Sequence, residues 1–354
     1  MGCVAIDLFC GIGGLTRGVQ NAGIKVVAGI DLDSSCRYAY EHNNESKFIN
    51  AGVESVSSSE IEKLYPENSI RVLMGCAPCQ PFSNYSLRYV KYGHKDDRWK
   101  LLYYFIDHVE KLIPHIVSME NVPQLSNEQV FVDFVSKLKS FGYHVSWSIV
   151  NCADYGVPQT RNRLVLLASL LAPISIIDPI LSNNNHVTVR EAISKLPALV
   201  DGGVSENDRL HKSSKLSEMN KKRIRQSVPG GTWQDWEDIL KLPCHIKNTG
   251  KGYRAVYGRM EWDKPSPTIT TQFYGYGNGR FGHPVQDRAI SLREGALLQS
   301  FPADYDFIDD EVPQTMRKIG VHIGNAVPVK LGEAIGKSIL RHIDMKGESQ
   351  CQTL

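Results

Sequence analysis

Six short apolar runs, at residues 4–9, 25–30, 71–74, 116–119, 144–150 and 164–168, constrain this chain more than any other feature. Between several of them the apolar spacing changes to a helical period, notably at 15–21, 99–112 and 130–141. Short strands alternating with helices predict a parallel sheet covered on both faces. The pattern breaks after Ala172, where Pro173, Pro179 and Asn183-Asn184-Asn185 interrupt it. Beyond lies a stretch rich in Gly, Pro, Trp and basic residues. Capping boxes at Thr188-Val189-Arg190-Glu191 and Ser291-Leu292-Arg293-Glu294 each predict a helix start there. A last helix is expected over 330–342, with a loose tail after Asp344. The chain reads as a large α/β domain at 1–185, a small domain at 186–285, a hinge at 286–312, and a segment at 313–354 that returns to the large domain.

Composition narrows the class. A chain of 354 residues, 42% hydrophobic and 22% charged, is that of a soluble globular protein. No stretch approaches the roughly 18 uninterrupted apolar residues of a membrane span. The N-terminus lacks the basic start of a signal peptide, so a cytosolic protein with no membrane partner is expected. Eight scattered cysteines form no disulfide framework. The net charge of +2 conceals an asymmetry: 186–288 carries 17 Lys/Arg against 11 Asp/Glu, whereas the remainder carries 23 against 27. A basic segment in a mildly acidic chain predicts a polyanionic partner on one face. The densest run, Lys221-Lys222-Arg223-Ile224-Arg225, fits either nucleic-acid contact or a solvated helix face.

Four constellations carry chemistry. The first strand runs into Asp7-Leu8-Phe9-Cys10-Gly11-Ile12-Gly13-Gly14, a Gly-rich turn before a helix, where a nucleotide-like ligand can approach the backbone. Asp31 ends the second strand 20 residues after Gly11, placed to accept ribose hydroxyls. Thr16 stands where a dinucleotide fingerprint needs its third Gly, which favours a mononucleoside cofactor. Second, Gly75-Cys76-Ala77-Pro78-Cys79-Gln80-Pro81-Phe82-Ser83 puts a thiol, Cys79, at a strand end. The spacing of Cys76 and Cys79 also fits half a zinc site or a redox pair. A zinc site would need a second ligand pair, and a redox pair would usually open a helix. Beside the other constellations that gather around Cys79, Cys76 reads as incidental. Third, Glu120 in Met119-Glu120-Asn121-Val122-Pro123 ends another strand, so Gly11, Asp31, Cys79 and Glu120 are expected on one sheet edge. Fourth, Gln159-Thr160-Arg161-Asn162-Arg163 alternates two arginines, whose planar donors would share one face.

Together these motifs closely resemble the DNA (cytosine-5)-methyltransferase family. The resemblance includes Asp96-Asp97-Arg98, the run from Gly258-Arg259-Met260-Glu261-Trp262 through Pro267-Thr268-Ile269-Thr270 to Gln299-Ser300-Phe301-Pro302, and Gly324-Asn325-Ala326-Val327-Pro328. It covers nearly everything outside about 175–255. It implies a mostly parallel, doubly wound, Rossmann-like S-adenosylmethionine-dependent methyltransferase sheet with a smaller inserted DNA-recognition domain.

It also implies roles. Cys79, flanked by Pro78 and Gln80, would add to carbon 6 of a flipped cytosine, making carbon 5 nucleophilic toward the methyl sulfonium. Glu120 would hold N3 and the exocyclic amino group, Arg163 the O2, and Arg161 would support the site. S-adenosylmethionine would lie over Phe9, Gly11, Gly13, Gly14 and Leu15. Its ribose would meet Asp31, and its remaining contacts would be Leu32, Val53, Pro78, Asn325, Ala326 and Val327. Asn50-Ala51-Gly52-Val53 lacks the carboxylate that the family often places near the adenine amino group, which leaves that task to backbone around Val53 or to Glu54. Ser83, Arg88 and Arg98 in the loop after Cys79, and Arg254, Arg259 and Arg280 in the insert, are the expected DNA contacts. The expected partners are duplex DNA and a cognate restriction endonuclease, for a monomer in the bacterial cytoplasm at the nucleoid. A tRNA methyltransferase and a noncatalytic DNA-binding regulator are the alternatives on this scaffold.

Overall fold

In the first half of the chain, the central strands form from apolar runs buried on both faces, as parallel sheets require. The computed structural model describes residues 2–78, 97–247 and 252–351. The elements begin with β1 (Cys3–Leu8), α1 (Gly14–Asn21), β2 (Lys25–Asp31), α2 (Arg37–Asn43), β3 (Lys47–Asn50), α3 (Ser58–Glu62) and β4 (Ile70–Gly75). They continue with α4 (Leu101–Leu112), β5 (Ile116–Asn121), α5 (Gln129–Ser140), β6 (His144–Asn151) and β7 (Asn162–Ser169). The strands form one sheet in the order β3-β2-β1-β4-β5-β7-β6. The first five are parallel, and β7 runs antiparallel to both β5 and β6. The doubly wound, mostly parallel α/β sheet is therefore as expected. Strand order reverses between β1 and β4, the place where such sheets open a crevice beyond their strand ends. Because β7 is antiparallel, its first residues reach the same edge as the last residues of β5; Asn121 pairs with Leu164.

Two compact units divide the chain. The first comprises Met1–Tyr155, Asn162–Ile180 and Val327–Leu354. Its core joins Ile6, Leu8 and Ile30 of the sheet to Phe105, Val109 and Phe134 of the helices. Its last helix, α11 (Val329–Cys351), starts where expected but continues past Asp344, correcting the loose tail. That helix packs on α1 closely enough that a Cβ on Gly18 would lie 2.2 Å from the Val329 carbonyl oxygen.

The second unit comprises Gly156–Arg161 and Leu181–Ala326, so 286–326 groups with the small body and so does a short piece of the first half. It holds α6 (Val189–Ile193), α7 (Glu218–Gln226), α8 (Pro243–Ile246), α9 (Leu292–Leu298) and α10 (Met316–Asn325). Thr188 and Ser291 cap α6 and α9 in the predicted boxes. Its core includes an aromatic cluster of Trp233 and Trp236, with His245 stacked on Trp233 at 4.3 Å. No helix among the described residues is long and apolar enough to cross a membrane.

Candidate active site at the strand ends

After β1 the backbone takes three left-handed steps, at Phe9 (φ 60°), Gly11 (φ 50°) and Gly13 (φ 84°), before α1 begins. Glycine accepts that geometry at little cost; Phe9 does not, and packs its half-buried ring on the core. Asp31 braces the turn. Its Oδ2 accepts the Gly11 amide at 2.8 Å and its Oδ1 the Asp33 amide at 2.9 Å. Leu32, 72% exposed, presents an apolar surface beside it. Asn50 donates to the Asp31 and Leu32 carbonyls at 3.1 and 3.0 Å, a bracing role that its place in the sequence did not signal.

Beneath the turn, Thr16 donates its hydroxyl to Asp7 Oδ2 at 2.7 Å, using the position where a third Gly was absent. Asp7 Oδ1 is buried with no hydrogen-bond partner among the described residues. Burial, with Asp31 nearby, pushes the Asp7 carboxyl up to about 7 against the opposing pull of Thr16. Val53 is buried in the core, and its carbonyl lies 2.8 Å from His108 Nε2, which must therefore carry the proton. Its carbonyl is thus already engaged. Glu54 folds over Gly52, where an added Cβ would lie 2.4 Å from the carboxylate.

Glu120 stands near the end of β5 and is 2% exposed. Arg163, second residue of β7, puts its Nε 2.8 Å from Glu120 Oε1. The approach is off the hydrogen-bond direction, so Oε1 has no hydrogen-bond donor among the described residues. Cys76 donates its thiol to Oε2 at 2.8 Å, so the residue read as incidental touches the central carboxylate. One residue on, Asn121 Nδ2 donates to the Ala77 carbonyl at 3.0 Å. The segment carrying Pro78 toward Cys79 is thus anchored on β5. Cys79, Gln80, Ser83 and Arg88 lie outside the described residues, and Arg98 lies in a short helix, Asp97–Lys100.

Several expected residues do other work. Arg161 precedes β7, which begins at Asn162. Within the second unit, its buried guanidinium donates to the Ile269 carbonyl at 2.8 Å and the Gly324 carbonyl at 3.3 Å. Gln159 and Gln299 complete this knot through a 2.9 Å side-chain bond. Arg259, expected at DNA, is 5% exposed. It donates to the carbonyls of Ile224, Ser227, His283 and Gln286 and pairs with Asp287, which spends all its donors inside the unit. The run Lys221–Arg225 lies in α7 and also turns partly inward. Arg223 donates to the Leu240 carbonyl at 2.9 Å, and Lys221 pairs with Glu218 at 2.8 Å. Arg254 is exposed in a turn and Arg280 is half-buried. Asn325 and Ala326 close α10 in the second unit, and Val327 begins the last segment of the first.

The family model for C-5 cytosine-specific DNA methylase matches residues 4–341 of this chain. The chain belongs to that family. This methylase is 50% identical over 98% of its length to the type II methylase M.HgiDII of Herpetosiphon aurantiacus, covering 97% of that protein. It is 32% identical to the type II methyltransferase M1.BsuMI of Bacillus subtilis, over 95% of this chain and 80% of that one. In fold, the methylase is similar to a DNMT2 structure from Spodoptera frugiperda, with a TM-score of 0.65 at 18% identity, over 96% of this chain and 100% of that one. The methylase is accordingly a DNA (cytosine-5)-methyltransferase, and the expectation drawn from its motifs holds.

Proposed function

We propose that this methylase transfers a methyl group from S-adenosylmethionine to carbon 5 of a cytosine flipped out of a specific duplex sequence, through a covalent Cys79 adduct at carbon 6. The observation that carries the reading is Glu120: a buried carboxylate gripped by Arg163 and Cys76, whose Oε1 still lacks a hydrogen-bond donor among the described residues. An unsatisfied buried acceptor is costly, and a pyrimidine edge presenting N–H groups would relieve that cost.

The Gly11 turn and the Asp31 carboxylate fit a nucleoside: the turn lets it approach the backbone, and Asp31, braced on the Gly11 and Asp33 amides at the end of β2, sets a carboxylate toward the ribose hydroxyls. Leu32 offers its exposed side chain to an adenine face. When bound, the cofactor supplies an electrophilic methyl on sulfonium. The chain's own residues do the rest. The Cys79 thiolate adds to carbon 6, and negative charge spreads onto the ring through N3 and O2. Glu120 meets the N3 and amino edge, accepting from the amino group, and Arg163 donates toward O2, so the charge that reaches O2 builds against a preorganised donor. After methylation a base removes the carbon-5 proton and the Cys79 electron pair returns to sulfur. Arg254 and Arg280 meet the DNA from the small unit. Likeness to type II enzymes supports a place beside a cognate restriction endonuclease.

Methyl transfer from labelled cofactor to duplex DNA tests the reading. Cys79→Ser should abolish transfer while cofactor binding survives; full activity in that variant overturns the mechanism. Bisulfite sequencing of DNA from cells expressing the chain then reads the target site.

A further inference from the structure

The parallel register of β4 and β5 pairs Met74 with Ser118 and Gly75 with Met119. Continued by one residue, the same offset sets Cys76 beside Glu120, and by two it sets Ala77 beside Asn121. At both places a side-chain hydrogen bond takes over from the backbone ladder: Cys76 Sγ to Glu120 Oε2 at 2.8 Å, and Asn121 Nδ2 to the Ala77 carbonyl at 3.0 Å. The ladder is thereby prolonged to the residue before Pro78.

We propose that Cys76 is a positioning residue for Glu120. Arg163 lies against one carboxylate oxygen and the Cys76 thiol against the other, so rotation of the carboxylate about its last bond would break a contact on either side. Each oxygen keeps a second acceptor site, and the exocyclic amino group of a cytosine can fill one of them. A thiol suits this post because it is a weak donor and withdraws little electron density from the oxygen that must also bind the base. Cys76 forms no bond to substrate and transfers no proton; it acts through the carboxylate it orients. The inference rests on the proposed role of Glu120.

The test compares wild type, Cys76→Ala and Cys76→Ser in steady-state methyl transfer to duplex DNA, with the KM for S-adenosylmethionine and the thermal midpoint measured alongside. Losing one hydrogen bond to a charged group should lower kcat by about tenfold in Cys76→Ala. The cofactor KM should stay at its wild-type value, and the midpoint should fall by no more than about 5 °C, the cost of leaving one buried acceptor without its donor. Cys76→Ser, which keeps a donor at the same place, should recover to within about threefold of wild type. A Cys76→Ala enzyme as fast as wild type overturns the inference, and so does a Cys76→Ser loss as large as that of Cys76→Ala, which would indicate packing. Absence of methyl transfer by wild type overturns instead the reading of the site.

Discussion

Arg163 Nε stands 2.8 Å from Glu120 Oε1, with the two side chains 12% and 3% exposed. The pair joins β7 to β5 at the sheet edge where the strands end, and it sets one positive charge against the carboxylate meant for the base. Glu120→Gln keeps the shape, removes the countercharge and replaces one acceptor by a donor. Its kcat should fall by about 10²- to 10³-fold, the range for losing one preorganised transition-state contact, while cofactor affinity is retained. Labelled methyl transfer and calorimetric titration with the cofactor measure the two.

Asp7 should make stability depend on pH in an unusual direction. Burial raises its folded value to about 7, from 3.8. Between those values the folded chain keeps a proton that the unfolded chain has released, so the contribution is full below about 4, declines as pH rises, and is gone above about 7. The stability of Asp7→Asn relative to wild type should therefore rise by a few kcal/mol between pH 4.5 and pH 7.5 and then level. Urea unfolding of both proteins across that range measures the difference, from which the other titrating groups cancel; a flat difference contradicts the assignment.

Arg259 and Arg254 should separate cleanly. Arg259→Ala leaves four carbonyls and Asp287 without their donor inside the small unit, and a loss of about 3–5 kcal/mol is expected. Arg254→Ala removes an exposed charge, so the unfolding midpoint should hold. DNA affinity should fall instead, with a salt dependence shallower by about one ion. Denaturant melts and salt-dependent DNA titrations distinguish the two variants.

Gly18 should be intolerant of even a methyl group. Its Cβ would lie 2.2 Å from the Val329 oxygen and 2.6 Å from the Glu333 nitrogen, backbone atoms that cannot rotate aside. Gly18→Ala must push α1 and α11 apart, at a cost of about 1–3 kcal/mol or more. A lowered thermal midpoint is the expected sign.

Strands buried on both faces were legible because a parallel sheet leaves continuous apolar runs, and Asp31 and Glu120 were legible because they stand where those runs stop. β3 was missed: its four residues, Lys47–Asn50, carry only Phe48 and Ile49 as apolar members, too few to show a period. Arg259 was misread because a guanidinium in a basic, Gly-rich stretch looks solvated, and nothing local announces that carbonyls from 224, 227, 283 and 286 converge on it. Arg161 stands one residue before β7, and its carbonyl partners at 269 and 324 lie more than a hundred residues away, so no local pattern announces them. Cys76 looked idle because its partner lies 44 residues away, across a register that only strand pairing reveals.

The central claim is a covalent bond between Cys79 and carbon 6 of a cytosine held by Glu120. Duplex DNA carrying 5-fluorocytosine at the methylated position has no carbon-5 proton to lose, so the methylated adduct cannot resolve. Incubation with that DNA and S-adenosylmethionine, then proteolysis and mass spectrometry, should find the nucleotide on the peptide containing Cys79, and Cys79→Ser should yield none. Methylation of ordinary duplex DNA with no trapped adduct, or an adduct on Cys76 instead, would contradict it.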